Sequence, residues 1–361
     1  MWAGKLVVNI PLWKGNMAVG TELPKTDSHG TFLNKEQLVP STETDIHERN
    51  IAGFAQYGLP ISKWTIGFGV RYENIIRDYL SDGVKQDDMS RKYNNFFPNL
   101  SVSWSKDNWY WQLNANEKIH RPSYRQLSNF MQYDNRFLYE GGNPTLQPEK
   151  VFNAETMIMY KWLNISIGYK YLKDVMAWTK YVYPGKEFAY TTVLNFDRNQ
   201  QLYASINVSP RFGIFRPTWK FNYSQQFFDT KKYGANKALS KPLLSCLLDN
   251  HFALSETMGA AVSLYAATAN ADGFLINKSN YSVNLRFNKS FANRTWIIYL
   301  SANDIFKTAK ERWTMYGLGS GTTKDCYNYN RSVSLQVTYN FNAKRSKYKG
   351  TGAGNEEKSR L

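Results

Sequence analysis

Two cysteines in 361 residues leave no disulfide framework and no thiolate metal cage. Cys246 falls mid-strand in the reading below and Cys326 at a strand's loop end, so both are expected as free thiols. The four histidines, His29, His47, His120 and His251, are scattered without an HExxH spacing. Neither a GxSxG elbow nor a P-loop occurs, so no catalytic constellation, metal or cofactor is expected, and the chain is not read as an enzyme. No run approaches the roughly 18 to 20 consecutive apolar residues of a membrane helix. That excludes a helical membrane protein but not a membrane β-barrel, whose strands alternate and average to a hydrophilic score. Acidic residues are scarce too: 29 against 45 basic ones leave a net charge of +16. Nucleic acid, an anionic membrane surface and an anionic ligand all suit such a charge, and placement has to decide between them.

What is abundant is aromatic: 25 Tyr, 21 Phe and 11 Trp, in a chain whose mean hydropathy is nonetheless negative. The rings recur with period 2. Trp64, Ile66, Phe68, Val70 and Tyr72 oppose Thr65, Gly67, Gly69, Arg71 and Glu73. In the last strand Tyr327, Tyr329, Arg331, Val333, Leu335, Val337, Tyr339 and Phe341 share one face, with Asn, Ser, Gln and Thr on the other. Aliphatics in the middle of a stripe and aromatics at its ends describe a lipid-facing surface with two interfacial girdles. Strands of about 10 to 16 residues are long against the 5 or 6 usual in soluble sheets, and their polar faces suit a wet lumen better than a sandwich core.

Connections alternate between tight and long. Tight turns fall near residues 14–16, 61–63, 106–108, 162–163, 210–213, 255–256 and 292–293, and long polar connections near 25–43, 79–96, 120–148, 174–186, 228–238, 270–278 and 305–325. Short turns at one rim and long loops at the other fit an outer-membrane barrel with its tight end in the periplasm. The predicted fold is all-β, a transmembrane antiparallel β-barrel occupying residues 1–342, with a polar, basic periplasmic tail at 343–361. About 15 strands are expected, among them 16–24, 46–59, 98–105, 163–173 and 327–342. Single-chain bacterial barrels use even numbers, and no signal peptide precedes the first strand, so the chain is expected to be the C-terminal part of a longer protein.

The segment His120-Arg121-Pro122-Ser123-Tyr124-Arg125-Gln126-Leu127, followed by Gly141-Gly142-Asn143-Pro144-Thr145-Leu146-Gln147-Pro148-Glu149, resembles TonB-dependent outer-membrane receptors. The likeness is greatest to their Bacteroidota-type outer-membrane β-barrel family, and the strand 67–73 and the tail 350–361 agree with it. The resemblance implies a 22-stranded barrel filled by a plug, which takes up bulky ligands with energy passed through TonB, in the outer membrane of a Gram-negative bacterium. This chain carries no plug and no TonB-contact segment, so alone it is not expected to transport. A stand-alone porin or structural barrel is the alternative, and a soluble all-β glycan-binding or adhesion protein the second.

The 120–149 connection is the candidate exterior ligand loop. Arg121, Tyr124, Arg125, Tyr133, Arg136 and Tyr139 offer side chains suited to stacking on and hydrogen-bonding a bulky polar ligand. Pro122, Gly142, Asn143, Pro144, Leu146, Pro148 and Glu149 are read as structural, shaping the fold-back into the next strand. Lumen-facing Arg71, Glu73, Glu155, Lys161, Lys170, Lys220 and Arg286 are read as plug contacts and internal ion pairs. Because the lipid faces are nearly uncharged, the basic surplus lies in loops, lumen and tail. No basic stripe tracks a phosphate backbone, so nucleic acid is not expected as a partner; outer-membrane lipid and lipopolysaccharide are.

Overall fold

The computed structural model describes residues 1–33, 41–183, 185, 187–234, 239–317, 321–341, 359 and 360. One 18-stranded sheet dominates them. Its long strands are β1 (Trp2–Leu12), β2 (Gly15–Phe32), β3 (Thr42–Ile61), β4 (Trp64–Ser81), β5 (Arg91–Lys106), β6 (Trp109–His120), β7 (Glu149–Tyr160) and β8 (Leu163–Val182). The series continues with β9 (Ala189–Val208), β10 (Phe215–Phe227), β11 (Leu243–Ser255), β12 (Met258–Ala267), β13 (Asn280–Phe291), β14 (Trp296–Asn303) and β15 (Ser332–Tyr339). Short strands at Val84–Lys85, Met131–Asn135 and Leu138–Gly141 complete the sheet. Every long strand pairs antiparallel with its neighbours in sequence, so the architecture and the number of long strands are those read from the alternation. Among the described residues no ladder joins β1 to β15, and the sheet is not closed.

Both faces behave as the alternation requires. On β4, Phe68, Val70 and Tyr72 are exposed on the apolar face while Glu73 is buried on the polar one. Large apolar side chains as exposed as Leu6 (63%) and Leu335 (68%) would be costly in water and are natural in lipid. Rings gather beside the tight turns: Trp64 packs on Trp104 and Trp111, Trp109 on Tyr160, and Trp296 on Tyr339, with centroids 4.3 to 6.3 Å apart. This is the girdle at the tight-turn rim. The turns themselves need a left-handed residue, which Trp13, Ser62, Asp107 and Lys161 supply at φ 50–54° and Gly213 at φ 58°. Lys161, expected on the lumen wall, is therefore a turn residue.

At the other rim the strands outrun their predicted ends. Segments expected at 16–24, 98–105 and 163–173 are Gly15–Phe32, Arg91–Lys106 and Leu163–Val182, so much of the connections at 25–43, 79–96 and 174–186 is ladder. About 9 to 11 tilted residues cross the hydrocarbon; beyond that point the outward face meets water, the lipid-facing stripe ends, and backbone pairing continues without that signal. Cross-strand polar pairs fill the outward face there, His29 Nδ1 lying 2.8 Å from Asp45 and His47 Nδ1 2.7 Å from Asp27. The last strand is shorter than the expected 327–342. Tyr327 turns away to donate its hydroxyl to Asp304 at 2.9 Å, and Tyr329 adopts φ 52°. The predicted tail from 343 lies outside the described residues, except for Ser359 and Arg360.

The long connections also carry structure of their own. Asn270–Asp272, Leu275–Asn277, Glu311–Tyr316 and Gly321–Cys326 form a separate four-stranded sheet at that rim. Beside it Val175, Phe196, Phe228, Leu239 and Phe274 form a buried apolar cluster. Phe228 and Phe274 come from stretches read as polar connections.

Candidate functional site

The His120–Glu149 connection folds over the polar face of the sheet, and its residues divide into two sets. Ser123 caps a single helical turn, α1 (Tyr124–Leu127): its hydroxyl accepts the Gln126 N–H while the Gln126 side chain accepts the Ser123 N–H, a reciprocal capping box. Tyr124, Leu127 and Leu146 then enter a buried cluster with Ile46, Tyr79 and Val193 from β3, β4 and β9. The Asn143 side-chain amide donates to the carbonyl of Val193 at 3.1 Å, and its oxygen accepts from the amide and hydroxyl of Thr145. Gly142 passes so close to Ser128 that an added Cβ would stand 2.0 Å from its carbonyl oxygen. Pro144, Pro148 and Glu149 are buried as well, and a Glu149 carboxylate oxygen accepts the Met176 N–H at 2.9 Å.

Of the six candidate ligand residues, three are consumed by this packing. Arg121 is 4% exposed and forms an ion pair with Glu73, which also accepts from Arg71 Nε at 2.6 Å. Tyr124 is buried, with its hydroxyl 3.5 Å from Glu48. Tyr139 is buried between Tyr133 and Phe188, centroids 5.4 and 4.4 Å away. The other three face out: Arg125 lies over the Phe130 ring at 4.7 Å and donates to Gln132, Arg136 lies over Phe137, and Tyr133 is 61% exposed.

Two cavities adjoin on the polar face. One, of about 440 Å³, is lined by Arg71, Glu73, Glu117, Lys118, Arg121 and Arg360; the other, of about 460 Å³, shares Lys118 and His120 and adds Glu155, Lys170 and Tyr203. Tyr203 donates to Glu155 at 2.7 Å, with Lys170 Nζ 5.1 Å from its ring centre. Arg286 pairs with Asp249 at 3.2 Å. Thus Arg71, Glu73, Glu155, Lys170 and Arg286 stand on the polar wall as read from sequence: Arg71 pairs with Glu73, Glu155 and Lys170 both engage Tyr203, and Arg286 pairs with Asp249.

Above them, tips of three connections meet. Leu138–Glu140 pairs in parallel with Ala189–Thr191, and Lys180 donates to Thr322 of the rim sheet, enclosing about 270 Å³ with Asp134, Trp178 and Trp313. The rim sheet is braced by charge. Glu311 accepts from Lys324, Trp313 and Asn328, which hold its carboxyl down at about 2. Asp304, 2% exposed, anchors the start of this connection. Burial pushes its carboxyl up, but the amides of Thr308 and Ala309 and the Tyr327 hydroxyl outweigh that and hold it below its ordinary value. Elsewhere at this rim the donor atoms of His29, Glu43 and Asp45 lie within 4.8 Å of one another on an exposed face. Sequence spacing shows no such grouping, because strand register creates it.

A long antiparallel meander with an apolar outer face, a polar inner face and one tightly turned rim defines an outer-membrane β-barrel protein. Residues 1–339 match the outer membrane protein beta-barrel family, and the chain belongs to that family. No curated protein matches its sequence. Among solved structures it resembles the copper transporter OprC, at TM-score 0.67 and 11% identity over 94% of this chain and 56% of that one. It also resembles the FrpB iron transporter from Neisseria meningitidis, at TM-score 0.62 and 13% identity over 93% and 55%. A third is the ferric-catecholate import receptor Fiu from E. coli K12, at 0.61 and 10% over 94% and 54%. These neighbours are TonB-dependent receptors, and what the chain shares with them is the barrel fold; it spans about half of each.

Proposed function

We propose that the chain forms barrel wall of a TonB-dependent receptor that takes up a bulky ligand across the outer membrane, acting together with a plug and with further strands. The open sheet carries this reading: the outer edges of β1 and β15 have no ladder partner among the described residues, and with an odd number of long strands the two run the same way. An antiparallel closure needs more strands between them. The ordered motif connection over a charged polar wall adds support, since such a wall offers partners to a polypeptide inside the lumen. In this reading Arg125, Tyr133 and Arg136 contact ligand, while Arg121, Tyr124 and Tyr139 hold the loop. Basic exterior loops meet lipopolysaccharide phosphates, and assignment to Bacteroidota rests on the motif alone.

The test is the mass of the native polypeptide that carries this sequence in outer membranes. A species well above 41.8 kDa, containing a plug and binding TonB, is expected. A native species of that mass which conducts steadily in planar bilayers overturns the reading in favour of a porin.

A further inference from the structure

We infer that Glu48, Pro122 and Tyr124 form a receptor for a guanidinium group, and that its occupant is the chain's own Arg360. Arg360 is the penultimate residue of the sequence and lies in a tail that composition alone reads as solvated. Yet it is 5% exposed. Its Nη1 and Nη2 reach the two carboxylate oxygens of Glu48 at 2.5 and 3.1 Å, the forked geometry that distinguishes arginine from lysine. Its Nε donates to the carbonyl of Pro122 at 3.1 Å, and the guanidinium lies 4.6 Å from the centre of the Tyr124 ring. The backbone is recognised as well, because the Tyr124 N–H donates to the Arg360 carbonyl at 3.2 Å. Fork, edge, face and main chain are therefore all engaged.

The pocket is built for that guest. Glu48 is 5% exposed on β3, flanked on the same face by buried Ile46 and Asn50. A carboxylate in such a place is costly unless a partner neutralises it, and the pair satisfies both ions at once. Pro122 and Tyr124 are set by the capped turn and the apolar cluster beneath it, so the motif connection presents a preformed stacking surface and carbonyl. Reach is not limiting. At about 3.3 Å per residue, a chain as long as that between Tyr339 and Arg360 can span up to roughly 70 Å, beyond the ~40–45 Å of a whole bilayer. The ligand class is thus an arginine side chain on a polypeptide, supplied here by the chain itself.

Phenylglyoxal, which attacks accessible guanidinium groups, tests this on the full chain folded in detergent, with site-by-site rates read by mass spectrometry. Arg360 is expected to react at least tenfold more slowly than exposed Arg136, and Glu48→Gln, near-isosteric but unable to pair with the fork, should bring the two rates together. Equal rates in the unaltered chain overturn the inference, as does persistent protection of Arg360 in Glu48→Gln. If Glu48→Gln fails the heat-modifiable shift of a folded barrel on gels, Tyr124→Leu, which keeps the apolar packing and removes the stacking ring, takes its place with the same expectation. The inference does not depend on the transport reading: a porin of 41.8 kDa with a protected Arg360 sinks one and leaves the other.

Discussion

An added methyl at Gly142 would meet three backbone carbonyls, those of Ser128 at 2.0 Å and of Arg125 and Gln126 at 2.9 Å. Backbone cannot swing aside as a side chain can, so Gly142→Ala should displace the fold-back and cost about 1–3 kcal/mol. Hydrogen exchange at the amides of 124–146 checks this, with loss of protection expected there and not in β10 to β13. Glu311 offers a test by pH. Its carboxyl is held at about 2 against an ordinary 4.5, so the folded rim gains from the ionised form. That contribution is complete above pH 4.5 and is lost as pH falls toward 2. Carboxyl NMR should find Glu311 titrating near 2 and, in Lys324→Met, moving up toward the ordinary value. Single residues were legible in sequence as types and not as roles. Arg121 and Arg125 look equivalent there, and only the partner Glu73 beneath one of them decides which is buried.

Elements were legible wherever one side of the strand meets lipid. Val262, Leu264, Val283 and Leu285 share that side across the β12–β13 ladder, while Ser263, Ser282 and Asn284 share the other. Leu285→Arg near the bilayer middle should cost about 2–4 kcal/mol, whereas Ser282→Arg on the polar face should be nearly neutral. Urea unfolding in lipid vesicles separates the two. Beyond the membrane the signal fails, because polar residues on both faces pair as readily in a ladder as they solvate a loop. The far part of β8, paired as far as Val182 with Ala189, was invisible too, because apolar side chains fall on both of its faces, Val175 in the rim cluster and Met176 against the Tyr124 cluster. So was the anchoring of the 304–331 connection by Asp304, whose four acceptor contacts run to Thr308, Ala309 and Tyr327. Asp304→Ala removes charge-assisted bonds at a buried site and should loosen that connection by about 3 kcal/mol. Hydrogen exchange over 305–317 and 321–331 reads it.

For the whole molecule, the sequence carries 45 basic against 29 acidic residues. On the polar wall Arg71, Arg121 and Arg286 are matched by Glu73 and Asp249, and basic residues of the loops and tail remain to carry the excess. Lipopolysaccharide binding by the folded chain should therefore weaken steeply between low and high salt, and a salt-independent affinity would remove the electrostatic account.

By itself the sequence determined the class of fold, the order and direction of fifteen long strands and which rim is tightly turned, since period 2 and turn chemistry are local properties. Only the tertiary structure decided which motif residues are buried, that Phe228 and Phe274 pack in a rim cluster, and that Arg360 meets Glu48 across 312 positions. Such contacts are set by strand register and by the folding of connections over the sheet. No periodicity along the chain records either.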